Sequence, residues 1–118
     1  MPVPTEVRER CRRFLPRGEE LHYLIPGICG GQVFIAVTET TVTVIYGGLL
    51  RRDNPQAVTA THPRTARIGP VETGSLDPVI RLGSLLIQVD EEYIPVIAAA
   101  DAEISAPDFP PPYLLSDE

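Results

Sequence analysis

The clearest periodic stretch of the chain is Gln32 to Tyr46, QVFIAVTETTVTVIY. In its first half Val33, Ile35 and Val37 alternate with Phe34, Ala36 and Thr38; in its second half Val42, Val44 and Tyr46 alternate with Thr41, Thr43 and Ile45. β-Branched and aromatic residues at a period of two fit a pleated, half-buried surface. Thr38, Glu39, Thr40 and Thr41 between them are polar enough to turn in water, so the stretch predicts one antiparallel hairpin at the centre of the fold. No nucleophile, metal ligand or phosphate loop is assigned to its apex.

On either side the pattern predicts further strands. Glu20 to Ile25 reads as the first, followed by the loop Pro26-Gly27-Ile28-Cys29-Gly30-Gly31. Gly47 and Gly48 then break strand propensity, and Leu49-Leu50-Arg51-Arg52 leads into the loop Asp53-Asn54-Pro55. Val58 to Thr61 and Ala66 to Val71 read as weaker strands around a loop at His62-Pro63-Arg64. Pro78 to Leu82 and Leu85 to Val89 form a second hairpin, with Gly83-Ser84 suited to a type II′ turn.

Helical spacing appears only at the two ends. Thr5 can cap a short helix whose Val7, Cys11, Phe14 and Leu15 form one apolar stripe, stopped by Pro16-Arg17-Gly18. Asp90-Glu91-Glu92 is an acidic helix start, and Tyr93, Ile97, Ala100 and Ile104 recur at helical spacing, with Pro95 drawing the start toward itself. From Ala106 the sequence APDFPPPYLLSDE reads as a Pro-rich extended or disordered tail. The prediction is an α+β, mainly β, domain over residues 1–106, with about seven strands, a C-terminal helix and a short N-terminal one, and a tail over 107–118.

Length and composition narrow the function. A chain of 118 residues fits one domain with its own core, and its 43% hydrophobic content is ordinary for one. The net charge of −6 argues against nucleic acid, which needs a basic stripe, and against nonspecific adsorption to anionic membranes. All ten basic residues are Arg, a compositional hint of a GC-rich coding genome. No stretch is long and apolar enough to span a bilayer, and the N-terminus shows no apolar core of a signal peptide. The expectation is a cytoplasmic protein with Cys11 and Cys29 as free thiols.

Several segments carry a resemblance: Leu15-Pro16-Arg17-Gly18-Glu19-Glu20 before the first strand, Phe34-Ile35-Ala36-Val37-Thr38 in the central hairpin, and the apolar hairpin ending in Ile87-Gln88-Val89 before a closing helix. Together they resemble the bacterial pleckstrin-homology-like domains, short actinobacterial ones in particular, over roughly Phe14 to Ile104. The resemblance implies a strongly bent antiparallel barrel or sandwich plugged at one end by the C-terminal helix. It implies a module that binds lipid, peptide or protein rather than an enzyme. Lipid-binding members place basic residues on the loop between the first two strands; PGICGGQ has none, and His22 before it is no substitute.

No catalytic signature is present. His22 and His62 have no Cys or His at zinc-ligand spacing, Gly27, Gly30 and Gly31 do not form a phosphate loop, and nothing basic adjoins Cys29 to activate it. Asp90, Glu91 and Glu92 are explained by helix capping. The reading is a non-enzymatic module without metal or cofactor. It engages a protein or itself through a sheet edge, the Gly-rich loop or the apolar tail, where Pro110-Pro111-Pro112-Tyr113 matches a PPxY ligand. The candidate contact residues are Phe109, Pro111, Pro112, Tyr113, Leu114, Arg51 and Arg52. The alternative is a membrane-surface adaptor using Arg8, Arg12, Arg13, Arg51 and Arg52. A third class, an enzyme or small-molecule carrier, needs a deep pocket with convergent polar groups.

Overall fold

The computed structural model describes residues 5–15, 18–48, 55, 57–74 and 77–108. The elements run α1 (Thr5–Arg12), β1 (Tyr23–Ile28), β2 (Gln32–Val37), β3 (Thr41–Gly48), β4 (Ala57–Pro63), β5 (Val79–Leu82), β6 (Leu85–Val89), a single 3-10 turn (Glu91–Tyr93) and α2 (Ile94–Asp108). The six strands form one antiparallel sheet in the order β4-β3-β2-β1-β6-β5.

The central hairpin is as the alternation predicts, with Val33 paired to Tyr46, Ile35 to Val44 and Val37 to Val42. The second hairpin also holds: Gly83 has a φ of +63°, while Ser84, like every non-glycine residue described, has a negative φ, which matches a type II′ turn. The first strand lies later than expected. Pro26, Gly27 and Ile28 belong to β1, so the loop before β2 shrinks to Cys29-Gly30-Gly31. Pro26 is tolerated there beside Phe34 because the strand is short and its partner β6 joins only at Gly27 and Ile28.

The strand count is six rather than seven, because Ala66–Val71 is not a strand. Its apolar residues are held by a helix instead of a ladder. Ile68 is fully buried, and the backbone N–H groups of Ile68 and Gly69 donate to the two carboxylate oxygens of Asp101 on α2, at 2.9 and 2.8 Å. The segment then reaches β5, where Glu72 and Val79 exchange two backbone hydrogen bonds of 2.7 and 2.9 Å. Residues 64–72 therefore strap α2 to the outer edge of β5. His62 and Pro63, expected in a loop, extend β4 by pairing with Val42 and Thr41.

Each face of the sheet has its own core. On the inner face Ile25, Ile35, Val44, Ile80 and Ile87 pack with Ile68 of the strap and with Tyr93, Ile97 and Ala100 of the C-terminal helical segment. On the outer face α1 lays Val7 and Cys11, with Leu15 beyond its end, over Leu24, Phe34, Ala36 and Ile45. That is why β2 is buried along both sides from Val33 to Val37. Each fully buried Ile or Leu contributes about 1.5–3 kcal/mol relative to exposure, so both covers matter to stability. Among the described residues the outer face of β5–β6 has no such cover, and Leu86 is 54% exposed.

The sheet curls until its two ends approach each other. A Cβ added to Gly83, in the β5–β6 turn, would meet the His62 ring of β4 at 2.8 Å. The result is a half-barrel with α2 against its mouth. Asp90 caps the 3-10 turn by accepting the Glu92 N–H at 3.0 Å, and α2 starts immediately before Pro95. The helix then continues to Asp108, two residues past the expected end of the domain at residue 106.

Candidate interaction site

The two lateral edges of the sheet differ. The β5 edge is bridged by Glu72 of the strap at its first residue, Val79. The β4 edge is open over Ala57–His62: among the described residues a backbone hydrogen bond reaches its outer side only at the far end, where Ala66 N–H donates to the Pro63 carbonyl at 2.9 Å. β4 reads AVTATHP, without a charge, and Ala57, Val58, Thr59 and Thr61 are exposed, Val58 at 43%. Exposed edges in natural sheets are usually blunted by charge, by proline or by a cover, since their free N–H and C=O groups template another strand. Here only Pro63, at the far end, works against pairing. Such an edge can recognise an extended peptide by main-chain hydrogen bonds.

Two hollows flank the sheet. One, of about 360 Å³, lies beside the β1–β6 junction and carries the carboxylates Asp77, Asp90 and Glu92 on its rim. The other, of about 450 Å³, lies between the strap and α2 and is lined by Pro70, Val71, Ile94, Ile97 and Ala98, with Asp101 at its edge. Both Asp101 oxygens already accept N–H groups, so that carboxylate serves the strap. Among the described residues neither hollow is lined by His, Cys or Ser.

All seven candidate contact residues named from sequence, Arg51, Arg52, Phe109, Pro111, Pro112, Tyr113 and Leu114, lie outside the described residues. The α1 arginines are placed. Arg12 pairs with Glu9 at 3.2 Å and Arg10 reaches Glu6 at 4.0 Å, the interleaved pairing expected of a solvated helix face. The opposite face of α1 is committed to the outer core. Arg8 and Arg13 remain on the polar side, half-exposed and exposed.

The Gly-rich loop works through backbone geometry. Gly30 and Gly31 take positive φ values of 72° and 153° to make the turn, and Gln32 braces it by donating from Nε2 to the Gly27 and Val33 carbonyls, at 3.0 and 3.1 Å. Cys29 is half-buried against the inner core and Cys11 is buried in the outer one; both are free thiols. Burial pushes the Cys11 thiol up to about 12, with Arg8 opposing weakly. His62, expected as an exposed loop residue, is half-buried on β4, and its Nε2 is buried without a partner.

Sequence reasoning named sheet edges as a class without choosing one. The missing signal was available in AVTATHP, an uncharged β-branched run, but its place at the end of the strand order belongs to the topology. No described helix is long and apolar enough to cross a membrane. Comparison of the chain with known protein families, characterised proteins and solved structures finds no match.

Proposed function

We propose that this chain is a non-catalytic binding module of pleckstrin-homology-like character that engages a protein, or a second copy of itself, by strand addition at β4. The observation that carries the reading is the asymmetry of the edges: one is bridged by Glu72 at Val79, the other is uncharged and, among the described residues, open over Ala57–His62. The half-barrel with a helix at its mouth supports the family resemblance at the level of architecture. Phe109, Pro111, Pro112, Tyr113 and Leu114, with Arg51 and Arg52, are assigned to the same recognition function on sequence grounds. A membrane-surface role for α1 gains less support, because Arg10 and Arg12 already have acidic neighbours.

The test is sedimentation velocity of the full chain over a wide concentration range, repeated for Val58→Lys and for a chain ending at Asp108. Ending the chain there keeps all of α2. Association that weakens in Val58→Lys at an unchanged urea midpoint supports the edge. Association lost only with the tail moves recognition to residues 109–118. A strictly monomeric chain that also retains no specific partner from an extract of its own cells overturns the reading.

A further inference from the structure

At one end of the sheet, three potential metal ligands from two separate segments face one another. Glu20 and His22 lie two residues apart in the extended run entering β1, the spacing that places side chains on one side of a strand. Glu39 lies in the turn between β2 and β3. One carboxylate oxygen of each glutamate and one ring nitrogen of His22 all lie within 4.8 Å of one another. The three side chains are exposed, and among the described residues none of them has a hydrogen bond or ion pair. Two carboxylates thus share a corner with no cation of the described chain between them.

The backbone beneath them is fixed. His22 N–H donates to the Val37 carbonyl at 2.7 Å, carrying the β1–β2 pairing past Tyr23. The turn that holds Glu39 is closed by Thr38 N–H to the Thr41 carbonyl at 2.9 Å and by Thr41 N–H to Thr38 Oγ1 at 3.1 Å. The Thr40 hydroxyl engages both oxygens of Glu19, at 2.9 and 2.7 Å, and so keeps a further negative group next to the cluster.

We propose that Glu20, His22 and Glu39 form a surface site for a divalent transition-metal ion, with Zn²⁺ the best match. One imidazole nitrogen and two carboxylate oxygens make a mixed donor set that suits Zn²⁺ and its neighbours, whereas Mg²⁺ and Ca²⁺ prefer all-oxygen sites. Zn²⁺ binds such donors at about 2.0–2.2 Å in a tetrahedron, which sets them roughly 3.3–3.6 Å apart and leaves the fourth position to water. From 4.8 Å at most, exposed side chains reach that spacing by rotation alone. The bound ion also removes the repulsion between Glu20 and Glu39.

The experiment is calorimetric titration of the full chain with zinc chloride in a non-chelating buffer at neutral pH. It is repeated for His22→Ala, Glu39→Gln, and the controls His62→Asn and Cys29→Ser. One saturable ion per chain is expected, with affinity reduced at least about tenfold in the first two variants and unchanged in the controls. Shifts of the His22 ring resonances on adding zinc to the unmodified chain give a readout that needs no variant. Absence of saturable binding, equal affinity in His22→Ala, or equal competition by Mg²⁺ overturns the proposal.

Discussion

Gly27 of β1 lies so close to Ile87 and Gln88 of β6 that a Cβ on it would stand 2.5 Å from Ile87 Cγ2 and 2.9 Å from the Gln88 carbonyl oxygen. Only two residue pairs, Gly27 with Val89 and Ile28 with Gln88, join the β1–β4 meander to the β5–β6 hairpin. Ile87 is fully buried and the other obstacle is backbone, so neither can step aside cheaply. Gly27→Ala should therefore cost about 1–3 kcal/mol by overpacking. Gly74→Ala, with nothing within 4 Å of the added atom, should stay within about 0.5 kcal/mol. Urea denaturation of both variants checks the contrast; equal midpoints would show that the junction yields.

Asp101 should matter through the strap. Replacing it by Ala leaves the N–H groups of Ile68 and Gly69 without their carboxylate acceptors, one of them in a fully buried residue. The expected loss is about 1–3 kcal/mol. Asp101→Asn retains one acceptor oxygen and should lose less. Hydrogen exchange adds a local readout: the Ile68 and Gly69 amides should exchange faster in both variants, while β2 amides keep their protection relative to global stability.

The two thiols should differ in reactivity and in their effect on stability. A thiol reagent at neutral pH should modify half-buried Cys29 and spare buried Cys11 until the chain unfolds. Burial raises the Cys11 pKa from 9.0 to about 12, so the folded state holds its proton where the unfolded state releases it. The contribution is complete below pH 9.0 and is lost as pH rises toward about 12, at up to about 1.4 kcal/mol per pH unit. Stability curves of the unmodified chain and of Cys11→Val, measured by urea between pH 8 and 10.5, should diverge in slope only above about pH 9.

Glu103 gathers two donors from different elements. The Tyr23 hydroxyl of β1 donates to one carboxylate oxygen, and Arg64 Nη2 reaches the other at 3.3 Å while also donating to the Ala100 carbonyl at 3.0 Å. The hydrogen bond to Glu103 is the main cause that holds the Tyr23 pKa above its usual 10.0, because ionisation removes the donated proton. This stabilising link is complete below pH 10.0 and fades as pH rises through the raised value. Glu103→Gln should bring Tyr23 ionisation back toward the ordinary tyrosine range, as followed by its ring resonances.

The hairpins, the helix starts and the apolar stripe of the N-terminal segment were legible because each depends on spacing within a short window. Val33, Ile35 and Val37 declare a strand wherever it sits, and Asp90 with Glu91 and Glu92 declares a helix start. The Ala66–Val71 segment was not legible. Its β-branched residues suit a strand, but Ile68 is held by Asp101, 33 residues away in sequence, and no local pattern encodes that hydrogen bond. The early placement of β1 failed for a similar reason: Pro26 and Gly27 signal a loop, while Gly27 is there to let β6 approach.

The alternation of β2 read as a half-buried surface, with no cover assigned to Phe34 and Ala36, and the α1 stripe read as an apolar face with no assigned place. Only the tertiary structure joined them. The same division holds for function. Sequence by itself determined the acidic, Arg-only composition, the uncharged β-branched run AVTATHP and the pair Glu20 and His22 on one side of an extended segment. The fold decided that this run lies at a sheet edge, open over Ala57–His62 among the described residues, that Glu72 bridges the other edge at Val79, and that Glu39 stands beside His22. Periodicity fixes which way a side chain points relative to its neighbours in sequence. Which distant segment it then meets is set by strand order and sheet curl, long-range properties that no short window contains.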